Sequence, residues 1–146
     1  MQILNPDFVS PIFVTGACGL LGLLVGSFLN VVIHRLPKMM ENDWLCQCAE
    51  LRGEAPAETV AFSLVSPRSR CPNCGHAISA LENIPVLSWL VLRGKCSACQ
   101  APISVRYPLI EILTGLLTAG AAIYFGFGWS ALGAFLLIWA LVSLTF

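Results

Sequence analysis

Between Pro11 and Ile33 the chain carries no charged side chain, and this run constrains the fold more than any other feature. At 1.5 Å of rise per residue, roughly 22 helical residues reach about 33 Å, enough to cross a bilayer's hydrocarbon core. The only charge ahead of the run is Asp7, and the basic residues lie after it, the reverse of a cleaved export signal. The run therefore reads as a retained anchor. Cys18, in Thr15-Gly16-Ala17-Cys18, faintly matches a lipoprotein processing site, but the missing basic stretch and the residue at Thr15 count against it.

Two further apolar runs follow, from roughly Tyr107 to Phe125 and from Trp129 to Phe146. The short Gly126-Phe127-Gly128 turn between them permits an antiparallel helix hairpin. With 57% hydrophobic and 11% charged residues, the chain has more apolar surface than one soluble core of its size hides. A net charge of zero also excludes nucleic acid as the partner, since phosphate binding needs a basic surplus on one surface. All 8 Lys and Arg residues fall between Arg35 and Arg106. The positive-inside bias thus makes that loop cytoplasmic and the N-terminus periplasmic. The expected fold is an all-α polytopic membrane protein of about three transmembrane helices with an inserted cytoplasmic zinc-ribbon-like loop. Residues 1–33 form the periplasmic N-terminus and first span, 34–106 the cytoplasmic loop domain, and 107–146 the hairpin. The chain ends without a polar tail, which reads as a truncation.

One face of the first helix is organised. At 100° per residue, Gly16, Gly19, Gly22, Gly26 and Asn30 fall within an arc of about 120°. Small residues on one stripe admit a second helix closely, and Asn30 can hydrogen-bond across the contact. His34 sits at the inner end of that helix as an interfacial residue. Glu111, one turn inside the second apolar run, is a functional candidate because ionisable groups are rare there; a carboxylate complementing the helix N-terminus is the equal alternative.

The strongest site signal is a pair of C-x-x-C knuckles, Cys71-Pro72-Asn73-Cys74 and Cys96-Ser97-Ala98-Cys99. Four thiolates at this spacing, in a reducing compartment, suit tetrahedral zinc. The 21 residues between Cys74 and Cys96 slightly exceed the usual gap, which an intervening hairpin absorbs. Four protein ligands leave no open position, so the metal is expected to shape the loop and not to catalyse. Cys46 and Cys48 form a C-x-C with no matching pair and are incidental. Between the knuckles, Asn83 to Leu92 is apolar but too short to span, so it lies on the membrane surface or packs inside the module. Arg93, Lys95 and Arg106 are placed to meet lipid headgroups or an anionic ligand, with ordinary positive-inside anchoring the equal alternative for each.

The stretch Gly26-Ser27-Phe28-Leu29-Asn30-Val31-Val32-Ile33-His34-Arg35-Leu36-Pro37 resembles the N-terminal signature of bacterial prepilin leader peptidases/N-methyltransferases. From Arg70 to Glu111 the two knuckles, Asn83-Ile84-Pro85, Leu87-Ser88-Trp89-Leu90, Arg93-Gly94-Lys95-Cys96 and Ile103-Ser104-Val105-Arg106-Tyr107-Pro108 are similar to that family's cytoplasmic domain in content and order. The resemblance implies an inner-membrane, bifunctional enzyme. It would cleave the leader of type IV prepilins and type II secretion pseudopilins, then methylate the new N-terminus with S-adenosylmethionine. It associates the loop with methyl transfer, giving Gly94, Lys95 and Glu111 as cofactor-binding candidates. The family's protease is an aspartyl enzyme, and such chemistry takes two carboxylates sharing a proton. Here Asp7 and Asp43 are separated by the first helix, so the catalytic aspartates are expected beyond residue 146. Two other readings are a non-enzymatic membrane adaptor with a zinc-stabilised loop and a membrane thiol redox protein.

Overall fold

A computed structural model of the chain describes residues 10–53, 63–126 and 128–146; Asp7 lies outside them. Among the described residues there are four helices: α1 (Pro11–Leu51), α2 (Leu87–Val91), α3 (Arg106–Phe125) and α4 (Trp129–Thr145). A single 3-10 turn, Leu81–Asn83, precedes α2.

The first helix differs from expectation. Its apolar part ends near Ile33, but the helix runs on to Leu51, 41 residues in all, so His34 lies inside it and not at its end. Polarity changes at His34 while helix propensity does not, since Met39, Met40, Glu41, Leu45, Ala49 and Glu50 are all good helix formers. Pro37 removes one backbone donor without ending the helix. The stop comes at Gly53, whose φ of +69° is left-handed backbone that glycine adopts readily.

α1 and α3 pack antiparallel through the small-residue stripe. A methyl group at Gly22 would lie 2.7 Å from Thr118 Oγ1 and 2.9 Å from Gly115 Cα, and one at Gly26 would lie 2.8 Å from Glu111 Cα. Higher residue numbers on α1 meet lower ones on α3, and the series ends where Asn30 Nδ2 donates to the Tyr107 carbonyl at 3.1 Å. Gly16 has no neighbour within 4 Å of where its methyl would be, so it does not belong to the packing face. Thr114 and Thr118, both fully buried, donate their hydroxyls to the carbonyls of Ile110 and Thr114 at 2.7 Å, satisfying themselves along their own helix.

α4 folds back onto this pair. Ala131 and Phe135 pack on Ala121 and Ala122 of α3, and Val142 joins Leu29 and Ile110 in a second cluster. Trp139 Nε1 donates to Thr118 Oγ1 at 3.1 Å, tying α4 to the helix α3 already shares with α1. Two helices, α1 and α3, are long and apolar enough to cross a membrane; α4, with 17 residues, is shorter. The remaining described segment, 63–105, is held against α1 by Arg35. That side chain is buried, and its guanidinium donates to the carbonyls of Ser63 at 2.9 Å and Pro67 at 2.6 Å.

Candidate metal centre

Each C-x-x-C pair closes the same small loop. In the first, the Cys71 N–H donates to His76 O at 2.9 Å and the Gly75 N–H returns to Cys71 O at 2.9 Å, with Gly75 at φ +73°. In the second, Cys96 N–H donates to Ala101 O at 2.9 Å and Gln100 N–H to Cys96 O at 3.1 Å, with Gln100 at φ +59°. One-residue antiparallel bridges, Arg70 to Ala77 and Lys95 to Pro102, clamp the two loops. Repeating one backbone geometry turns both cysteine pairs toward a common point.

The four sulfurs of Cys71, Cys74, Cys96 and Cys99 lie within 4.8 Å of one another. Cys71 and Cys99 are 3.8 Å apart, and Cys74 and Cys96 are 4.0 Å apart. A tetrahedron with metal–sulfur bonds of about 2.3 Å has sulfurs about 3.8 Å apart, so the cluster can hold a metal ion. The thiols are unequal. A backbone N–H at Ala101, the Asn73 amide and the neighbouring thiols lower Cys99 to about 6. Cys74, despite a backbone hydrogen bond at His76, is pushed up to about 12 by desolvation and by Cys99, Cys71 and Cys96. Cys46 and Cys48 lie on α1, away from this group.

Glu82 braces the module from the segment between the knuckles. Its carboxylate accepts from the Ser97 hydroxyl, from the Ser79 N–H at 2.8 Å and from His76. These donors, led by Ser97 and then Ser79, lower it to about 2. Both knuckles are therefore joined through one acid.

Gly94 and Glu111 show why their residue types are needed. Gly94 has φ +67°, and a methyl there would lie 2.8 Å from the Trp89 ring. The Trp89 indole N–H donates to Ile103 O at 3.2 Å, and Ile103 N–H donates to Gly94 O at 2.7 Å, so the ring, the glycine and Ile103 form one closed unit. Glu111 is 8% exposed, and its Oε2 accepts the Val86 N–H at 2.8 Å. Val86 is a β-branched residue at φ +60°, an uncommon conformation that this bond helps to hold. Lys95, between Gly94 and Cys96, is exposed. Sequence reasoning missed the Arg35 and Glu82 anchors and the Glu111 to Val86 bond. Only the motif His34-Arg35-Leu36-Pro37 hinted at the first, and nothing local hinted at the last, since its partners are 25 residues apart.

The model of the bacterial peptidase A24 N-terminal domain matches residues 20–125, most of the chain and the whole of the cysteine module. The chain belongs to this family. It is 59% identical over 127 residues to a prepilin leader peptidase/N-methyltransferase of Stutzerimonas stutzeri, covering 86% of this chain and 44% of the relative. The corresponding protein of Aeromonas hydrophila is 54% identical over 132 residues, 87% of this chain and 44% of the relative. That of Neisseria gonorrhoeae is 48% identical over 148 residues, covering 100% of this chain and 50% of the relative. The chain thus spans about half the length of the curated relatives it matches and corresponds to their N-terminal portion. No solved structure matches it.

Proposed function

We propose that this chain is the N-terminal portion of a bifunctional inner-membrane enzyme that removes the leader from type IV prepilins and type II secretion pseudopilins and then methylates the new N-terminus. The observation that carries this reading is the high identity to relatives so named across the helix pair and the four-cysteine module together. Within it, residues 1–33 are the periplasmic end and first span, 34–106 the cytoplasmic part, and 107–146 a transmembrane hairpin, three spans in all with a zinc-ribbon-like insertion. The distribution of basic residues supports this sidedness.

Zinc on Cys71, Cys74, Cys96 and Cys99 is structural in this proposal, since all four positions are taken by protein. S-adenosylmethionine, when bound, supplies the methyl group. Lys95 offers an exposed ammonium that suits the donor's carboxylate, while Gly94 and Glu111 fix the backbone around it through Trp89 and Val86. Peptide hydrolysis needs a close carboxylate pair, and Asp43 stands exposed on the polar half of α1. The protease aspartates are therefore assigned to the rest of the longer protein.

The test is made in the full-length protein with a prepilin substrate, following leader release and N-methylation separately. Lys95→Ala should lose methylation and keep leader release; equal loss of both would refute the division of labour. The 146-residue chain alone should release no leader. Release at the full-length rate would overturn the two-aspartate assignment.

A further inference from the structure

A groove of about 540 Å³ runs between α2 and α3, lined by residues that include Trp89, Leu90, Val105, Leu109, Ile112 and Leu116. Every accessible atom in it is apolar. Its floor is the early part of α3, where Leu109, Ile112 and Leu116 are exposed. Its roof is α2, whose Leu87, Leu90 and Val91 are exposed at 59%, 57% and 80%. A five-residue helix so apolar on its outer side does not belong in water. Immediately after it come Arg93 and Lys95, both exposed and neither in an ion pair among the described residues.

We propose that this groove seats an acyl chain of an anionic membrane phospholipid, with Arg93 at its phosphate, so that the cysteine module is held flat against the bilayer. Two observations select lipid over a protein partner. The groove's floor is the face of a helix long and apolar enough to span the membrane, where Leu109, Ile112 and Leu116 stand exposed, a surface of the kind that meets hydrocarbon. The polar groups that follow α2 are cations, as at a headgroup boundary, where basic side chains anchor and anionic lipid attracts them. The inference rests on reading α3 as a membrane span.

The full-length protein is reconstituted with Trp89 as its only tryptophan, every other one being replaced by Phe, in vesicles whose lipids carry bromine near the headgroup end of the acyl chain. A companion protein keeps only Trp129, which is 88% exposed at the start of α4 and reports insertion by itself. Trp89 should be quenched, at least twofold more when the brominated lipid is anionic than when it is zwitterionic. Leu90→Glu should abolish most of that quenching while Leu90→Phe retains it, with unchanged bound metal in both as proof of folding. Quenching of Trp129 without Trp89 would overturn the inference, showing that another protein segment covers the groove. Equal quenching by the two headgroup types would overturn the role of Arg93. Quenching of neither tryptophan would overturn the membrane reading itself.

Discussion

Single residues in this chain are fixed by space or by charge. Gly26 and Gly22 have backbone where a side chain would go, so Gly26→Ala should destabilise the α1 and α3 pair by about 1–3 kcal/mol, the usual cost of forcing a methyl into a packed contact. Gly16→Ala, facing open space, should be neutral, and unfolding in mixed micelles compares the two. At the cysteine module, the double variant Cys71→Ala/Cys96→Ala should lose bound metal by elemental analysis, and the module should unfold with it, since binding and folding are one equilibrium in such sites. Unchanged metal content would sink the assignment. Glu82 adds a pH dependence. Its folded value of about 2 lies below the ordinary 4.5, so its contribution is present above 4.5 and is lost as pH falls toward 2. Glu82→Gln should therefore release metal to a chelator faster than wild type near neutrality, with the gap closing as pH drops through that window.

Elements are joined by a few long-range bonds from side chains to backbone. Asn30 meets the first turn of α3, Arg35 meets the segment leading to Cys71, and Glu111 meets the segment leading to α2. Hydrogen bonds between helices in a membrane contribute about 1 kcal/mol, because the separated helices also find partners. Asn30→Leu should accordingly weaken the pair by about 1 kcal/mol or less, well below the effect of Gly26→Ala. Arg35→Ala leaves the Ser63 and Pro67 carbonyls without this donor, and Arg35→Lys cannot span Ser63 and Pro67 with one fork. Both variants should raise hydrogen exchange or protease cleavage in residues 63–70 while α1 and α3 stay protected; equal protection in wild type and both variants would remove Arg35 from this role.

At the scale of the molecule, the antiparallel α1 and α3 pair puts the segment between them at one end of the bundle and the turn at Gly126 at the other. The basic residues sit at the first of these ends. In intact cells, a cysteine introduced at Leu81, which is exposed, should resist a membrane-impermeant thiol reagent until lysis, whereas one at Gly128 should react at once. Reversal of that pattern would invert the topology.

The sequence by itself determined the features that repeat or persist along the chain. Uncharged runs long enough for a bilayer, glycines recurring at helical spacing and two C-x-x-C pairs each declare themselves locally, because helix period and ligand spacing are local properties. Tertiary structure decided the rest. Nothing in Pro37 or the polar residues after it revealed that α1 continues to Leu51, since a polar stretch can be a loop or a solvated helix until its neighbours are known. Gly16 and Gly22 both fall on the small-residue arc, yet only Gly22 meets another backbone, because the length of the contact is set by where α3 crosses. Glu111 was equally legible as a dipole partner or a functional acid, and its carboxylate takes the Val86 N–H. That bond depends on how a loop from another part of the chain returns to the helix, and local sequence does not encode it.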